Sequence, residues 1–486
     1  MAAVMFQGTG SDVGKSVLVA GVCRALTNRG MRVRPFKPQN MSNNAAVAAD
    51  GGEIGRAQAL QAIACRVPAS VHMNPVLIKP QSDTGAQIVV RGIVRETADT
   101  SYFRRQKTAL LEIVLDSFAR LSNEADIVVV EGAGSPAETN LRTHDIANMG
   151  FARAARVPVV MIGDIDRGGV IASLVGTHAV LDDEDRALIK GFVINKFRGD
   201  VSLFDAGLAE VTQRTSWPAL GVVPWLAAAR KLPAEDAVAL DSLQSNSGAL
   251  HIAVPMLSRI ANFDDFDALA QEPGVQLQMI PRGTPLPANA QVIILPGTKA
   301  TIADLKFLRA QGWDIDIAAH VRRGGRVVGI CGGFQMLGRT ITDTDGIEGR
   351  PESVEGLGLL PLDTRLMNSK LVREVRGSDL STGAAFEGYE IHVGHTHIEP
   401  GTSAWLRFDD GAADGATSAN GLVAGCYVHG LFNRAEFREA WLRSLGATSD
   451  GVQQHARVDA ALDELARNLE SSLRLDQLIE IARQPL

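Results

Sequence analysis

Val4-Met5-Phe6-Gln7-Gly8-Thr9-Gly10-Ser11-Asp12-Val13-Gly14-Lys15-Ser16 is the stretch that decides the fold of the N-terminal half. An apolar strand runs into a glycine-rich turn, and the turn opens a segment, Ser16–Arg29, whose apolar residues recur at helical spacing before Gly30. Small residues let backbone N–H groups turn inward and the helix N-terminus adds partial positive charge, so this loop suits a phosphate. The pattern assigns Lys15 to the β- and γ-phosphates and the Ser16 hydroxyl to Mg²⁺. Gly8, Thr9, Gly10, Gly14, Lys15 and Ser16 are thus the candidate ATP-binding residues. The strict pattern has glycine where this chain has Thr9, with Gly8 one residue earlier.

Working outward, short apolar runs at Val157–Gly163, Ile127–Glu131, Ile189–Asn195 and Leu220–Val223 alternate with helical segments such as Thr100–Ser122. This is the pattern of βαβ units feeding a parallel sheet, an α/β fold. Polar residues at strand ends are candidates for the phosphate edge. Glu131 and Asp50 are candidate metal ligands beside Ser16, since Mg²⁺ takes hard oxygen ligands. Asp50 has the plain alternative of a turn residue before Gly51-Gly52. Asp164 and Asp166 are candidates for metal or substrate, and the Asn195 amide, with its paired donor and acceptor, for the adenine base.

From Lys231 to Gly248 the chain turns polar, and a second series of strands begins at Leu250–Val254. It delivers Gly329-Ile330-Cys331-Gly332-Gly333 at the end of Val327–Ile330, the nucleophile-elbow form G-x-C-x-G. A helix N-terminus favours thiolate, and a strained turn exposes it. His429, at the end of Leu422–Val428, is the candidate base, and cysteine with histidine is the working pair of thiol acyl transfer. Gly332 and Gly297, the latter in Pro296-Gly297-Thr298, are the candidate oxyanion-hole residues. His395 and His397 share a strand face and His392 takes the other, which disfavours a three-histidine metal site. The division expected is 1–232 ATP-dependent domain, 233–249 linker, 250–440 thiol domain and 441–486 amphipathic helices, packed on a domain or on a partner subunit.

Composition agrees with two cores, because 486 residues exceed what one hydrophobic core holds. A net charge of −7 argues against a general nucleic-acid role. Four cysteines in so long a chain, with no secretory pattern at the start and no apolar run of membrane-spanning length, point to the cytoplasm and away from a membrane. Oligomeric state stays open, a homo-oligomer included.

The first segment resembles the dethiobiotin-synthetase-like ATPases. Taken with Lys37-Pro-Gln-Asn-Met-Ser42, Asp50-Gly-Gly-Glu-Ile-Gly-Arg-Ala-Gln-Ala59, Asp164-Ile-Asp-Arg-Gly-Gly169, the cysteine elbow and Tyr389-Glu-Ile-His392, most of the chain resembles the cobyric acid synthase family of cobalamin biosynthesis. The resemblance implies a P-loop domain followed by a class I glutaminase-like domain. It further implies ATP- and Mg²⁺-dependent amidation of the b, d, e and g carboxylates of adenosylcobyrinic acid a,c-diamide, with glutamine as nitrogen donor and ATP as cosubstrate. Class I relatives place an acid two residues after the histidine, where this chain has Leu431, which leaves the orientation of His429 to another group. Cobyrinic acid a,c-diamide synthases share the domain order, although Lys37-Pro-Gln-Asn-Met favours the former family. A partitioning-type ATPase switch is the non-enzyme alternative.

Overall fold

The computed structural model describes residues 2–81, 85–98, 101–235 and 248–484. Most of the expected linker, and the expected helix start at Thr100, lie outside the described residues. The first core is a six-stranded sheet in the order Ala219–Pro224, Ile189–Phe197, Val159–Asp164, Ala2–Gly8, Ile127–Glu131, Val33–Phe36, with every pairing parallel. Buried on both faces, its strands read as unbroken apolar runs, and alternate residues enter opposite layers. Val4 and Phe6 face the helix Lys15–Asn28, while Ala3 and Met5 face the layer that holds Phe118 and Phe151. Parallel strands all end on one edge, which brings the phosphate loop, Glu131, Asp164 and Asn195 together.

The second core repeats the plan. Val275–Ile280, Leu250–Pro255, Val292–Leu295, Arg326–Ile330 and Val423–Cys426 run parallel, and Ala416–Thr417 closes the edge antiparallel. The strand expected to reach Val428 stops at Cys426, so His429 stands on the loop beyond it. A third, largely antiparallel sheet was not anticipated. Its two long strands, Leu362–Asp379 and Ala385–Ile398, pair over most of their length and carry Tyr389 and Ile391 against Ala45, Leu77 and Val89 of the first half.

The expected boundaries need two corrections. The helix Ala435–Ser444 contributes Phe437, Trp441 and Leu442 to the second core, so that core does not end at 440. The helices Gln454–Ser472 and Leu475–Arg483 then return to the first core, where Leu462, Leu465 and Leu469 pack on the Lys15–Asn28 helix. The crossing is pinned by Arg438, whose fully buried guanidinium lies 2.5 Å from the equally buried Glu272 carboxylate.

Candidate functional site

The thiol stands on a strained turn. Cys331 has φ 51° and ψ −109°, a conformation that costs an L-residue roughly 1–3 kcal/mol and is kept because its neighbours leave no alternative. A Cβ on Gly333 would lie 2.2 Å from the Leu295 carbonyl oxygen, and one on Gly329 would lie 2.7 Å from that of Gly333, so the elbow needs both glycines. Cys331 is buried, its Sγ 3.7 Å from the Ile391 carbonyl oxygen, and it lines the same cleft as His429.

What orients His429 is Asp265. Its Oδ2 lies 2.8 Å from His429 Nδ1, and its Oδ1 accepts from the Gly430 N–H at 2.6 Å. Asp265 comes from the short 3-10 segment Phe263–Phe266, far from the position that Leu431 occupies. Burial would lower the His429 pKa, but the Asp265 carboxylate and then Cys331 outweigh it and push it up to about 10. Asp265 thus biases the ring toward its protonated form beside the thiol.

Gly297 lies at an antiparallel bridge beside the thiol. Its carbonyl accepts from Ala261 N–H at 2.9 Å, and the Lys299 N–H is bonded to the Arg259 carbonyl at 3.0 Å. In this antiparallel bridge Thr298 is the unbonded member, so its N–H faces away from Ile260. Thr298 N lies 3.2 Å from the place where a Cβ on Gly332 would stand. The Thr298 N–H thus joins Gly332 and Gly297 as a candidate donor, and a Cβ on Gly297 would lie 2.8 Å from His429 Cε1.

The cleft also takes in Asn43 and Lys79 from the first half, Lys370 and His392 from the long strands, and Lys299 and Glu348, both half-buried. Burial draws Lys299 down to about 8 and pushes Glu348 up to about 7, each shift resisted by the other's charge. His392 stacks on Tyr427 with ring centroids 3.8 Å apart.

At the phosphate edge Gly14 has φ 88°, and a Cβ on Gly8 would lie 2.5 Å from Val13, so both glycines shape the loop. Lys15 Nζ reaches the Gly10 and Gly134 carbonyls at 3.1 Å, and burial lowers its pKa against the pull of Glu131. Ser16 Oγ lies 2.7 Å from Glu131 and 2.5 Å from Glu235. Lys37 Nζ bridges the same carboxylates at 2.9 and 2.8 Å, and Gln61 Nε2 lies 2.5 Å from the second Glu131 oxygen. Burial opposes charge on Lys37, but Glu131 and Glu235 raise its pKa. Two carboxylates and a hydroxyl form a hard-oxygen donor set of the kind Mg²⁺ takes, and the ammonium between them marks a place that favours a cation.

Glu235, inside the expected linker, stands beside Ser16, where Asp50 is expected. Asp50 is engaged elsewhere, accepting from Ser70 Oγ at 2.6 Å and from the Val71 N–H at 3.0 Å, so local turn chemistry claims both its oxygens. Asn195 donates to the Val13 carbonyl at 2.8 Å, which braces the loop and spends one amide donor expected for a base. Asp164 lies 2.7 Å from Lys196 Nζ and Asp166 lies 2.6 Å from Arg198 Nε. Both carboxylates stand at the expected edge, each already paired with a base.

Fold and site together define an amidotransferase joined to a nucleotide-binding domain. Residues 4–239 match the family model described as the CobQ/CobB/MinD/ParA nucleotide binding domain, and 251–437 the one described as the CobB/CobQ-like glutamine amidotransferase domain. The chain is 62% identical to a cobyric acid synthase from Caulobacter sp. (strain K31), over 99% of this chain and 100% of the relative. It is 58% identical to one from Brucella suis biovar 1 over 99% of both chains, and 59% identical to one from Sphingopyxis alaskensis over 100% of both. The chain belongs to the cobyric acid synthase family, and it is an enzyme, a ligase of the glutamine amidotransferase kind. No helix among the described residues is long and apolar enough to cross a membrane.

Proposed function

We propose that this enzyme uses ATP and Mg²⁺ to amidate the b, d, e and g carboxylates of adenosylcobyrinic acid a,c-diamide with nitrogen from glutamine, giving adenosylcobyric acid. The observation that carries the reading is the presence, in a chain of this family, of both a Cys331–His429–Asp265 constellation and a phosphate loop with two buried carboxylates at Ser16. One supplies ammonia and the other a reactive acyl group.

In the thiol site, the Cys331 thiolate attacks the glutamine carboxamide carbon. Charge develops on the carbonyl oxygen, where the Gly332 and Thr298 N–H groups stabilise it. His429 gives its proton to the departing nitrogen, so ammonia leaves and a thioester remains. Water, deprotonated by the same ring, cleaves the thioester to glutamate. Asp265 keeps the ring in the tautomer and orientation both steps need. Lys299 and Glu348 offer one charge of each sign, complementary to the α-carboxylate and α-ammonium of glutamine.

In the synthetase site, a corrinoid carboxylate oxygen attacks the γ-phosphorus of ATP and ADP departs, leaving an acyl phosphate. Ammonia then attacks the acyl carbon and inorganic phosphate leaves. Lys15, the loop N–H groups of Gly8, Gly10 and Gly14, and the helix start hold the phosphates, while Asn195 braces the loop and the expected Thr9 N–H is spent on the Ile162 carbonyl at 3.0 Å. Ser16, Glu131 and Glu235 would hold Mg²⁺, which when bound would offset the negative charge of the phosphates. Asp164 and Asp166 sit on the rim, where a substrate could meet them. Incubation of the enzyme with the a,c-diamide, ATP, Mg²⁺ and glutamine should give a product carrying four new amides by mass spectrometry. Amidation of cobyrinic acid that stops at two amides would overturn the substrate assignment.

A further inference from the structure

The thiol site is not built by one half of the chain alone. Arg56 opens the helix Arg56–Ala64 of the nucleotide-binding half, and its guanidinium reaches into the second half. Its Nη2 lies 3.0 Å from Asp264 Oδ2 and 2.8 Å from the Ala45 carbonyl, and it is hydrogen-bonded to the Tyr389 hydroxyl. Both second-half partners bear directly on His429. Asp264 adjoins Asp265, the carboxylate on Nδ1, and Tyr389 stacks its ring on the imidazole with centroids 5.3 Å apart and planes 21° from parallel. Tyr389 and His429 also exchange backbone hydrogen bonds at 3.0 and 2.8 Å, so the phenol and the imidazole move as one unit.

We infer that Arg56 is a positioning residue for the thiol chemistry, holding the acid and the aromatic face that fix His429. The inference rests on the reading of Cys331 and His429 as the ammonia-releasing pair. Its electrostatic reason is local. Asp264, Asp265 and Asp267 are three acids within four residues, Asp264 and Asp265 almost wholly buried, and unneutralised they repel one another. Arg56 puts a permanent charge against this cluster where water cannot. A second pin sits beside it, the Ala45 N–H donating to Asn262 Oδ1 at 3.0 Å at the entry to the same 3-10 segment. The helix that begins with Arg56 carries Gln61 on Glu131 and on the Ser16 carbonyl, so its place is registered on the phosphate site at its other end. Glutamine cleavage thus depends on a residue seated by the synthetase half.

The test compares full-length wild type, Arg56→Ala, Arg56→Lys, Asp264→Asn and the Arg56→Ala/Asp264→Asn pair in two assays: glutamate release from glutamine, and amidation driven by ammonium salt. Arg56→Ala should lower kcat for glutamate release by about tenfold or more, a loss typical of a hydrogen bond to a charged group. KM for glutamine should change by less than about threefold, because the residue acts on the transition state through His429 and not on bound glutamine. Ammonium-driven amidation should stay within about threefold of wild type, since that route bypasses the thiol. Arg56→Lys, which keeps the charge but not the span of the guanidinium, should recover part of the loss. The double variant should be no worse than the poorer single, as expected of two groups serving one contact. Should Arg56→Ala fail to fold, Arg56→Lys and Asp264→Asn carry the same readings. Unchanged kcat in these variants, or ammonium-driven amidation falling in step with glutamate release, overturns the positioning role while leaving the thiol assignment standing. Glutamate release that survives Cys331→Ser overturns that assignment and the positioning role with it.

Discussion

His429 is held charged by two neighbours, and one of them can be removed without touching the thiol. Asp265→Asn deletes the stronger of the two attractions that lift the histidine above its ordinary value of 6.5 to about 10. The alkaline limb of glutamate release, where the imidazolium proton is lost, should therefore move to lower pH, and the rate at neutral pH should fall by roughly 100-fold or more. A pH–rate profile of the variant checks this, and an unmoved limb would contradict the assignment of Asp265. Stability follows the same linkage. The folded state binds the His429 proton more tightly than the unfolded one, so this contribution is full below about pH 6.5 and fades as pH rises through about 10. At this scale the sequence announces Cys331, Lys15, Ser16 and Glu131, because each follows or ends a strand or opens a helix beside glycines, and His429, which follows the strand Val423–Cys426 by a short loop. Asp265 carries no such mark. It is one acid in Asn262-Phe-Asp-Asp-Phe-Asp267, 164 residues before its histidine, and only tertiary packing distinguishes it from Asp264 and Asp267. Glu235 hides in a polar stretch for the same reason, and the Asp50-Gly51-Gly52 turn draws attention that its local hydrogen bonds do not repay.

Among the elements, the C-terminal helices change the architecture most. Their apolar spacing is plain in Val458, Leu462, Leu465 and Leu469, but spacing does not say which surface they cover. The answer lies in Gly21, where a Cβ would meet Leu469 at 2.5 Å and Leu465 at 2.8 Å, so the Lys15–Asn28 helix is cut to receive them. Arg24, with its side chain fully buried, pairs with Asp459 at 2.5 Å and Asp463 at 3.1 Å and fixes the register. Leu465→Ala should therefore destabilise the nucleotide-binding half by about 2–5 kcal/mol and leave the second half's unfolding midpoint in place. Denaturant titration followed by nucleotide binding and by amide hydrogen exchange of the Arg326–Ile330 strand would separate the two transitions. Equal shifts in both would contradict the packing described. The parallel strands are legible because both their faces are buried and they read as apolar runs. The long antiparallel strands are not, since Lys370-Leu-Val-Arg-Glu-Val-Arg-Gly alternates only in part, with Val372 against the other half of the chain and Val375 in the second core.

Across the whole molecule, the proposed thiol site lies where the two halves meet, and the proposed nucleotide site lies in the first half. The cleft around Cys331 is walled by Lys79 and Asn43 of the first half, and Glu53 of that half, held down to about 2 against burial by Lys370 and Lys79, ties it to the long strands. Such an arrangement has meaning if the thiol's product is the synthetase's reactant. The measurement that tests this most directly is synthesis from two nitrogen sources by two variants. Cys331→Ser replaces the thiol with a far weaker nucleophile, so glutamine-driven amidation should fall by about 10³-fold or more while ammonium-driven amidation persists. Lys15→Ala removes the charge that meets the phosphates, so amidation from either source should be lost. If Cys331→Ser, folded by circular dichroism, lost the ammonium-driven reaction as well, the thiol would have to act in the synthetase chemistry and the two-site account would be contradicted.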